Sequence, residues 1–188
     1  MTNDFAVRDV TGFSQPKTSV GRSAMVRKEV LSWSDVDRLI EELLPQFTAS
    51  YDALMMITRG GIVPGGILSE ALGIKYILTA AVEFHTGVQK RLAWPTFLQF
   101  PGDSLLRDRS ILVIDDVWGS GRTIMTVKSR IEAAGATPEL AVLHYKPGES
   151  MFRDAAPDYY AAVTNNWIVY PWEIERGASK EMLAAGVG

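Results

Sequence analysis

The sequence predicts an α/β fold, a mostly parallel twisted sheet flanked by helices. Three observations carry that prediction. Apolar runs at 52–57, 75–84, 111–115, 140–145 and 159–163 alternate with helical patterns, as βαβ units do. The run Ile111-Leu-Val-Ile114 contains no polar residue, which suits a strand covered on both faces. The unusual loops 58–61, 115–123 and 146–148 all leave the ends of such runs. Open α/β sheets bind their ligands there, so the loops should converge on one cleft.

The elements follow in order. Residues 1–25 are rich in Thr, Ser, Gly and charge without usable periodicity, and are expected to form a flexible arm. The remaining 26–188 should be one domain, since 188 residues suit a single hydrophobic core. Ser34, with Asp37 three residues on, is the expected N-cap of the first helix. Val36, Leu39, Ile40, Leu43 and Leu44 form its apolar face, and Pro45 marks its end. A buried strand over 52–57 runs into Thr58-Arg59-Gly60-Gly61. A helix over 62–72 follows, closed by Gly73. After the strand at 75–84 the pattern dissolves from His85 to about Gly102, where Gly87, Pro95 and Pro101 interrupt it; a functional or disordered loop is expected. The strand at 111–115 leads into Gly119 and Gly121 and then a helix beginning at Thr123. That helix carries Ile124, Val127 and Ile131 on one face and stops at Gly135.

Composition excludes several classes. At 47% hydrophobic, 22% charged and a formal net charge of −3, with scattered Lys and Arg, the chain has no nucleic-acid footprint. It has no cysteine, which removes disulfides, thiolate metal sites and thiol nucleophiles. No apolar run approaches the roughly 20 residues that cross a bilayer. The N-terminus lacks the basic-then-apolar order of a signal peptide, so a cytoplasmic protein without membrane insertion is expected.

The chemistry concentrates at 111–123. Asp115 and Asp116 adjoin a loop whose glycines let backbone N–H groups approach an anion, just before a helix N-terminus. Two carboxylates beside an anion cradle would repel a bare phosphate. They call for hydroxyls or a metal ion, and a phosphorylated ribose satisfies the whole set.

Four apolar residues, two acids and a small-residue loop closing on Thr123 resemble the phosphoribosyl-pyrophosphate (PRPP) signature of type I phosphoribosyltransferases. Thr58-Arg59-Gly60-Gly61-Ile-Val-Pro64 resembles the pyrophosphate loop of the bacterial xanthine-guanine and hypoxanthine enzymes. Tyr145-Lys146-Pro147 and Trp167-Ile168, followed by Pro171-Trp172-Glu173, resemble that branch's base-binding segments. The resemblance covers about residues 30–175 and implies the type I phosphoribosyltransferase fold with a small base-binding hood. It implies transfer of 5-phosphoribose from PRPP to hypoxanthine, guanine or xanthine, a purine-salvage reaction needing Mg²⁺. The implied partners are PRPP and a nucleobase, with no nucleic acid, and a homo-dimer or homo-tetramer is typical of the family.

Residue by residue, the resemblance assigns Asp115, Asp116 and Arg59 to catalysis. PRPP would meet Arg59, Gly60, Gly61, Asp115, Asp116, Val117, Gly119, Ser120, Gly121, Arg122 and Thr123. The base would meet Lys146, Trp167 and Ile168, and the metal Asp115, Asp116 and Glu173. Two positions depart from the family. Gly119 stands where 6-oxopurine enzymes carry an Asp that accepts or shares the base N7 proton. Glu83-Phe84 stands where a Ser-Tyr pair often opens the closing loop. Gly119 keeps open a second reading, PRPP-dependent transfer to orotate, adenine or another base. A non-catalytic PRPP or nucleotide sensor is the third, disfavoured by the acidic net charge.

Plainer readings stand beside these. Arg59 could pair with a surface acid and Lys146 could be a solvated strand-end lysine. Trp167 and Trp172 could be core aromatics, and His85 and His144 lack metal-ligand spacing. The Gly119–Thr123 loop is not a nucleotide P-loop, because G-x-x-x-x-G-K-[ST] is not met. Trp118, inside the loop, is unexplained, and packing under the loop or a place in a subunit contact are its two readings.

Overall fold

A computed structural model describes residues 27–85 and 94–174. The arm expected over 1–25 and the middle of the loop expected over 85–102 lie outside the described residues.

In chain order the elements are β1 (Lys28–Val30), α1 (Trp33–Leu43), β2 (Ala53–Ile57), α2 (Ile62–Ala71), β3 (Ile77–His85), β4 (Trp94–Gln99), β5 (Ser110–Trp118), α3 (Arg122–Ala133), β6 (Thr137–Tyr145), β7 (Tyr159–Val163), β8 (Trp167–Val169) and α4 (Pro171–Ile174). Six strands form one sheet in the order β4-β3-β2-β5-β6-β7, and β1 pairs with β8 in a second, two-stranded sheet. All pairings are parallel except β3 with β4. The expected α/β class and mostly parallel sheet are therefore present.

Side-chain alternation divides the core. Met55, Ile57, Ile111, Val113, Leu140 and Val142 face one side, where Ile124, Val127 and Ile131 of α3 cover them. Leu54, Met56, Leu112, Ile114, Ala141 and Leu143 face the other, under Val36, Ile40 and Leu43 of α1 and Leu68 of α2. Strands buried on both faces need no polar alternation, which is why β2 and β5 read as unbroken apolar runs. No described helix is long and apolar enough to cross a membrane.

Three local expectations are corrected. The cap of α1 is Ser32, not Ser34. Ser32 Oγ accepts from the Asp35 N–H at 3.3 Å and the Ser32 N–H donates to Asp35 Oδ2 at 2.9 Å. Both serines have an acid three residues on, but the earlier start makes Trp33 helical and lets its ring meet Trp172 at 6.1 Å. The expected loop over 85–102 is in part a strand. β4 lies antiparallel to β3 with Val82 opposite Phe97 and Glu83 opposite Thr96. It is the sheet's edge, where Pro95 costs little, and Phe97 packs edge-on against Phe100 at 4.9 Å. Finally β5 runs three residues past the expected 111–115, so Asp115 and Asp116 lie within a strand.

Ser32→Ala should lose about 0.5–2 kcal/mol of folding free energy, read as a lower denaturant midpoint at unchanged slope. Ser34→Ala should leave the midpoint in place; equal losses would return the cap to Ser34.

Candidate functional site

Neighbouring residues of a strand point to opposite faces, so Asp115 and Asp116 open into two different cavities. Asp116 lines a cavity of about 370 Å³ with Thr58, Arg59, Gly60, Ile62, Val63, Trp172 and Glu173. Asp115 lines one of about 70 Å³ with Val117, Gly119, Ser120, Gly121, Arg122, Thr123 and Ile124. The acid pair is the partition between them. Gly60 presses on that partition: a β-carbon there would overlap Asp116 Oδ1 and lie 2.6 Å from Asp115 Oδ1.

The smaller cavity lies at the N-terminus of α3. Gly121 precedes α3 at φ +76 and ψ −3, a left-handed conformation, and no side chain caps the helix. A β-carbon at Gly121 would stand 2.5 Å from Trp118 Nε1, so sterics and backbone both require glycine. The first N–H groups of any helix lack intrahelical partners, and the Arg122 N–H donates to Ser120 Oγ at 3.4 Å. Those donors, with the Ser120 and Thr123 hydroxyls, line a space sized for a small group such as phosphate. Trp118 takes the first of its two readings: it is buried beneath this loop, against Gly121, and donates from Nε1 to Ser150 Oγ at 3.2 Å. Arg122 places its guanidinium 4.3 Å from the centre of the Phe84 ring. The missing Tyr hydroxyl at 84 is thus a ring face for an arginine of the phosphate loop.

The larger cavity holds the pyrophosphate-loop residues. The Thr58–Arg59 peptide is cis, and Arg59 is exposed at the cavity wall. Gly61 behaves differently from expectation: its N–H donates to Ile57 C=O at 2.8 Å, so it is not a donor for a ligand. Its contribution is closeness, because a β-carbon there would overlap the Ile114 carbonyl oxygen.

Both carboxylates keep some solvent contact yet lie deep in the fold. Burial first, and then the charge of Asp116, pushes the Asp115 carboxyl well up from its ordinary value. Burial, and then the charge of Glu173, pushes Asp116 up to about 7. Glu173 accepts the Tyr170 N–H at 2.8 Å. Tyr170 donates its hydroxyl to Asp116 C=O at 2.8 Å, and His144 Nδ1 lies 2.8 Å from the Tyr170 hydroxyl oxygen. The tyrosine proton being used, His144 Nδ1 carries the proton that it donates. His144 is held below its usual pKa by burial and is a structural residue.

The other expected site residues divide. Lys146 is buried at 5% exposure, with Nζ 2.5 Å from Glu149 Oε1, so it is not a solvated lysine. Trp167 is 49% exposed on β8 and Ile168 packs against the core. None of the three is among the lining residues of either cavity. Trp172 lines the larger one, stacked on Tyr170 at 4.4 Å and 10°. It stood in the sequence beside Trp167, and no spacing rule distinguished them. For the metal, no group of three His, Cys, Asp or Glu among the described residues could hold an ion unaided. The ligand set Asp115, Asp116 and Glu173 is therefore not assembled as a site of its own.

Known proteins resemble this chain in sequence and in fold. The phosphoribosyl transferase domain family matches residues 26–176. A xanthine-guanine phosphoribosyltransferase of Cereibacter sphaeroides is 29% identical over 127 residues, 66% of this chain and 71% of that one. Another, from Idiomarina loihiensis, is 27% identical over 155 residues, 79% and 88% of the two chains. The crystal structure of a purine phosphoribosyltransferase from Pyrococcus horikoshii superposes with a TM-score of 0.68 at 32% identity, over 77% of this chain and 93% of that one.

Because Asp116 is raised in the folded state, its protonated form favours folding. Its contribution is full below the ordinary carboxylate range and is lost as pH rises from about 4 to about 7. Without divalent cation, Tm should fall between pH 5 and pH 8, and Asp116→Asn should narrow that fall by about 4 °C or more, on the order of 1–2 kcal/mol. Identical pH profiles for parent and variant would refute the assignment.

Proposed function

The chain belongs to the phosphoribosyl transferase family, and we propose that it transfers the 5-phosphoribosyl group of PRPP to a 6-oxopurine. The products would be a nucleoside 5′-monophosphate and pyrophosphate, as in purine salvage. One observation carries the reading. Two cavities of unequal size abut at a carboxylate pair, the smaller at a bare helix N-terminus and the larger beside Arg59 and Trp172. PRPP has that form: a 5′-phosphate at one end, vicinal hydroxyls in the middle and a pyrophosphate on C1. The relatives named for xanthine-guanine and purine transfer support the choice of acceptor.

The roles follow. The N-terminus of α3, with Ser120 and Thr123, holds the 5′-phosphate through backbone donors and hydroxyls. Asp115 and Asp116 accept from the ribose hydroxyls through charge-assisted hydrogen bonds. Arg59 and Gly60 face the pyrophosphate, and Gly61 acts through close packing alone. Leaving of pyrophosphate develops positive charge at C1 and the ring oxygen, a transition state like that of glycoside cleavage. Two buried carboxylates below the ring favour that charge, and Arg59 favours the departing one, so catalysis is positioning plus electrostatics. Trp172 supplies an aromatic wall to the cavity. Lys146 would donate to the oxo group of the base, with Trp167 and Ile168 as the nearby hood residues.

The donor set suits Mg²⁺. Hard carboxylate oxygens are present, in numbers too few to hold the ion alone, and Mg²⁺ commonly completes its shell with substrate phosphates and water. Bound by Asp115 and Asp116 with PRPP, and with Glu173 across the cavity, it would neutralise the pyrophosphate. Burial first, and then the charge of Glu173, raises the Asp116 carboxyl, and a cation there would favour its charged form.

Incubation with PRPP, Mg²⁺ and hypoxanthine, guanine or xanthine should yield the monophosphate, and chelation of the metal should stop it. Failure with all three bases alongside turnover of orotate or adenine would move the acceptor to the second reading. Asp116→Asn should weaken PRPP binding by about 1–3 kcal/mol, measured by calorimetry. Unchanged affinity would remove Asp116 from the ribose site.

A further inference from the structure

Two odd features of the chain, a glycine at 119 and a lysine ending β6, meet at one carboxylate. A β-carbon on Gly119 would lie 3.3 Å from Glu149 Oε2. The other oxygen, Oε1, is 2.5 Å from Lys146 Nζ. Glu149 sits in the turn after β6, and that turn is tied down. Its own N–H donates to Lys146 C=O at 3.1 Å. The Lys146 N–H donates to Trp118 C=O at 2.9 Å and the Met151 N–H to Ser120 C=O at 3.1 Å. The Trp118 indole bonds Ser150 at 3.2 Å. One hydrogen bond closes the turn and three tie it to residues 118–120, which holds Glu149 beside the place a side chain on residue 119 would occupy. Its side chain is 48% exposed, so one face remains open to a ligand.

We propose that Glu149 is the acid–base residue of this site, reaching across the gap left by Gly119 to the acceptor base. The proposal rests on the transferase reading above. As a ring nitrogen of the base forms its bond to C1, the C1–oxygen bond breaks and its electron pair leaves with pyrophosphate. The base then carries one N–H proton too many. Glu149 takes that proton and passes it to water. Lys146, held by the same carboxylate, stays placed to donate to the oxo oxygen of the same ring. General acid–base assistance of this kind is worth about 10²–10⁴-fold.

The test is steady-state transfer from PRPP to hypoxanthine, guanine, xanthine and adenine by the full chain. In whichever base the parent accepts, Glu149→Gln should lower kcat about 100-fold or more while KM for PRPP stays within about threefold. Glutamine keeps an oxygen for Lys146, so a residue that merely positions the lysine would tolerate it and fail only as Glu149→Ala. Gly119→Asp added to Glu149→Gln should recover at least about tenfold of the loss, because it returns a carboxylate from the other loop. Near-parental kcat for Glu149→Gln, or no recovery in the double variant, overturns the proposal and leaves the transferase reading intact. A parent inactive on all four bases overturns both.

Discussion

The site depends on how closely one backbone can approach another. The loop after β2 lies directly on β5, and it can do so only because Gly60 and Gly61 have no side chains. Gly61 touches the Ile114 carbonyl and Gly60 touches both carboxyl groups of the acid pair. That contact brings Arg59 and the start of α2 within reach of Asp116, and it makes the two cavities adjoin. A methyl group at either position would push the loop away or displace the acids. Close-packed interiors leave no room to absorb the difference.

Alternation along a strand does the rest. Because Asp115 and Asp116 are consecutive in β5, each belongs to a different layer of the core and each serves a different cavity. The arrangement carries a cost, since burial lifts both carboxyls above their ordinary values, with the charge of Asp116 adding to it at Asp115 and that of Glu173 at Asp116. The surrounding structure tolerates it because the strand there is fixed from the side. Tyr170 bonds the Asp116 carbonyl and its hydroxyl is itself bonded by His144, and both residues are buried. This chain of bonds also anchors the segment bearing Trp172 and Glu173 to the acid strand.

Most of the sheet was legible because period and run length are local signals. The apolar runs of β2 and β5, the face of α3 and the acid-glycine loop could be read from neighbours a few residues apart. What escaped reading was long-range. β1 finds its partner in β8, across most of the chain, and three residues carry too little pattern to announce a strand. β4 was hidden by Pro95 and its exposed face, features an edge strand tolerates. Ser32 and Ser34 offer the same capping spacing, and packing of Trp33 on Trp172 distinguishes them. At the site, Gly61 looked like a ligand donor, yet its N–H is taken by Ile57. For Trp118 the sequence left packing under the loop and a subunit contact open, and its burial against Gly121 and bond to Ser150 decide for the first.

Gly119 shows why spacing alone can mislead about chemistry. Read along the chain, it is a position where an expected acid is missing. Read in space, it adjoins a carboxylate from a different loop, 30 residues on, which is bonded to the lysine expected at the base. A loop can take over a neighbour's side chain only if the two move as one body. Here the indole of Trp118, packed beneath Gly121 and bonded to Ser150, joins them. The tryptophan therefore matters for more than filling the core. It fixes the distance between the phosphate loop and the turn bearing Glu149, so that a carboxylate on one can occupy the place left empty on the other.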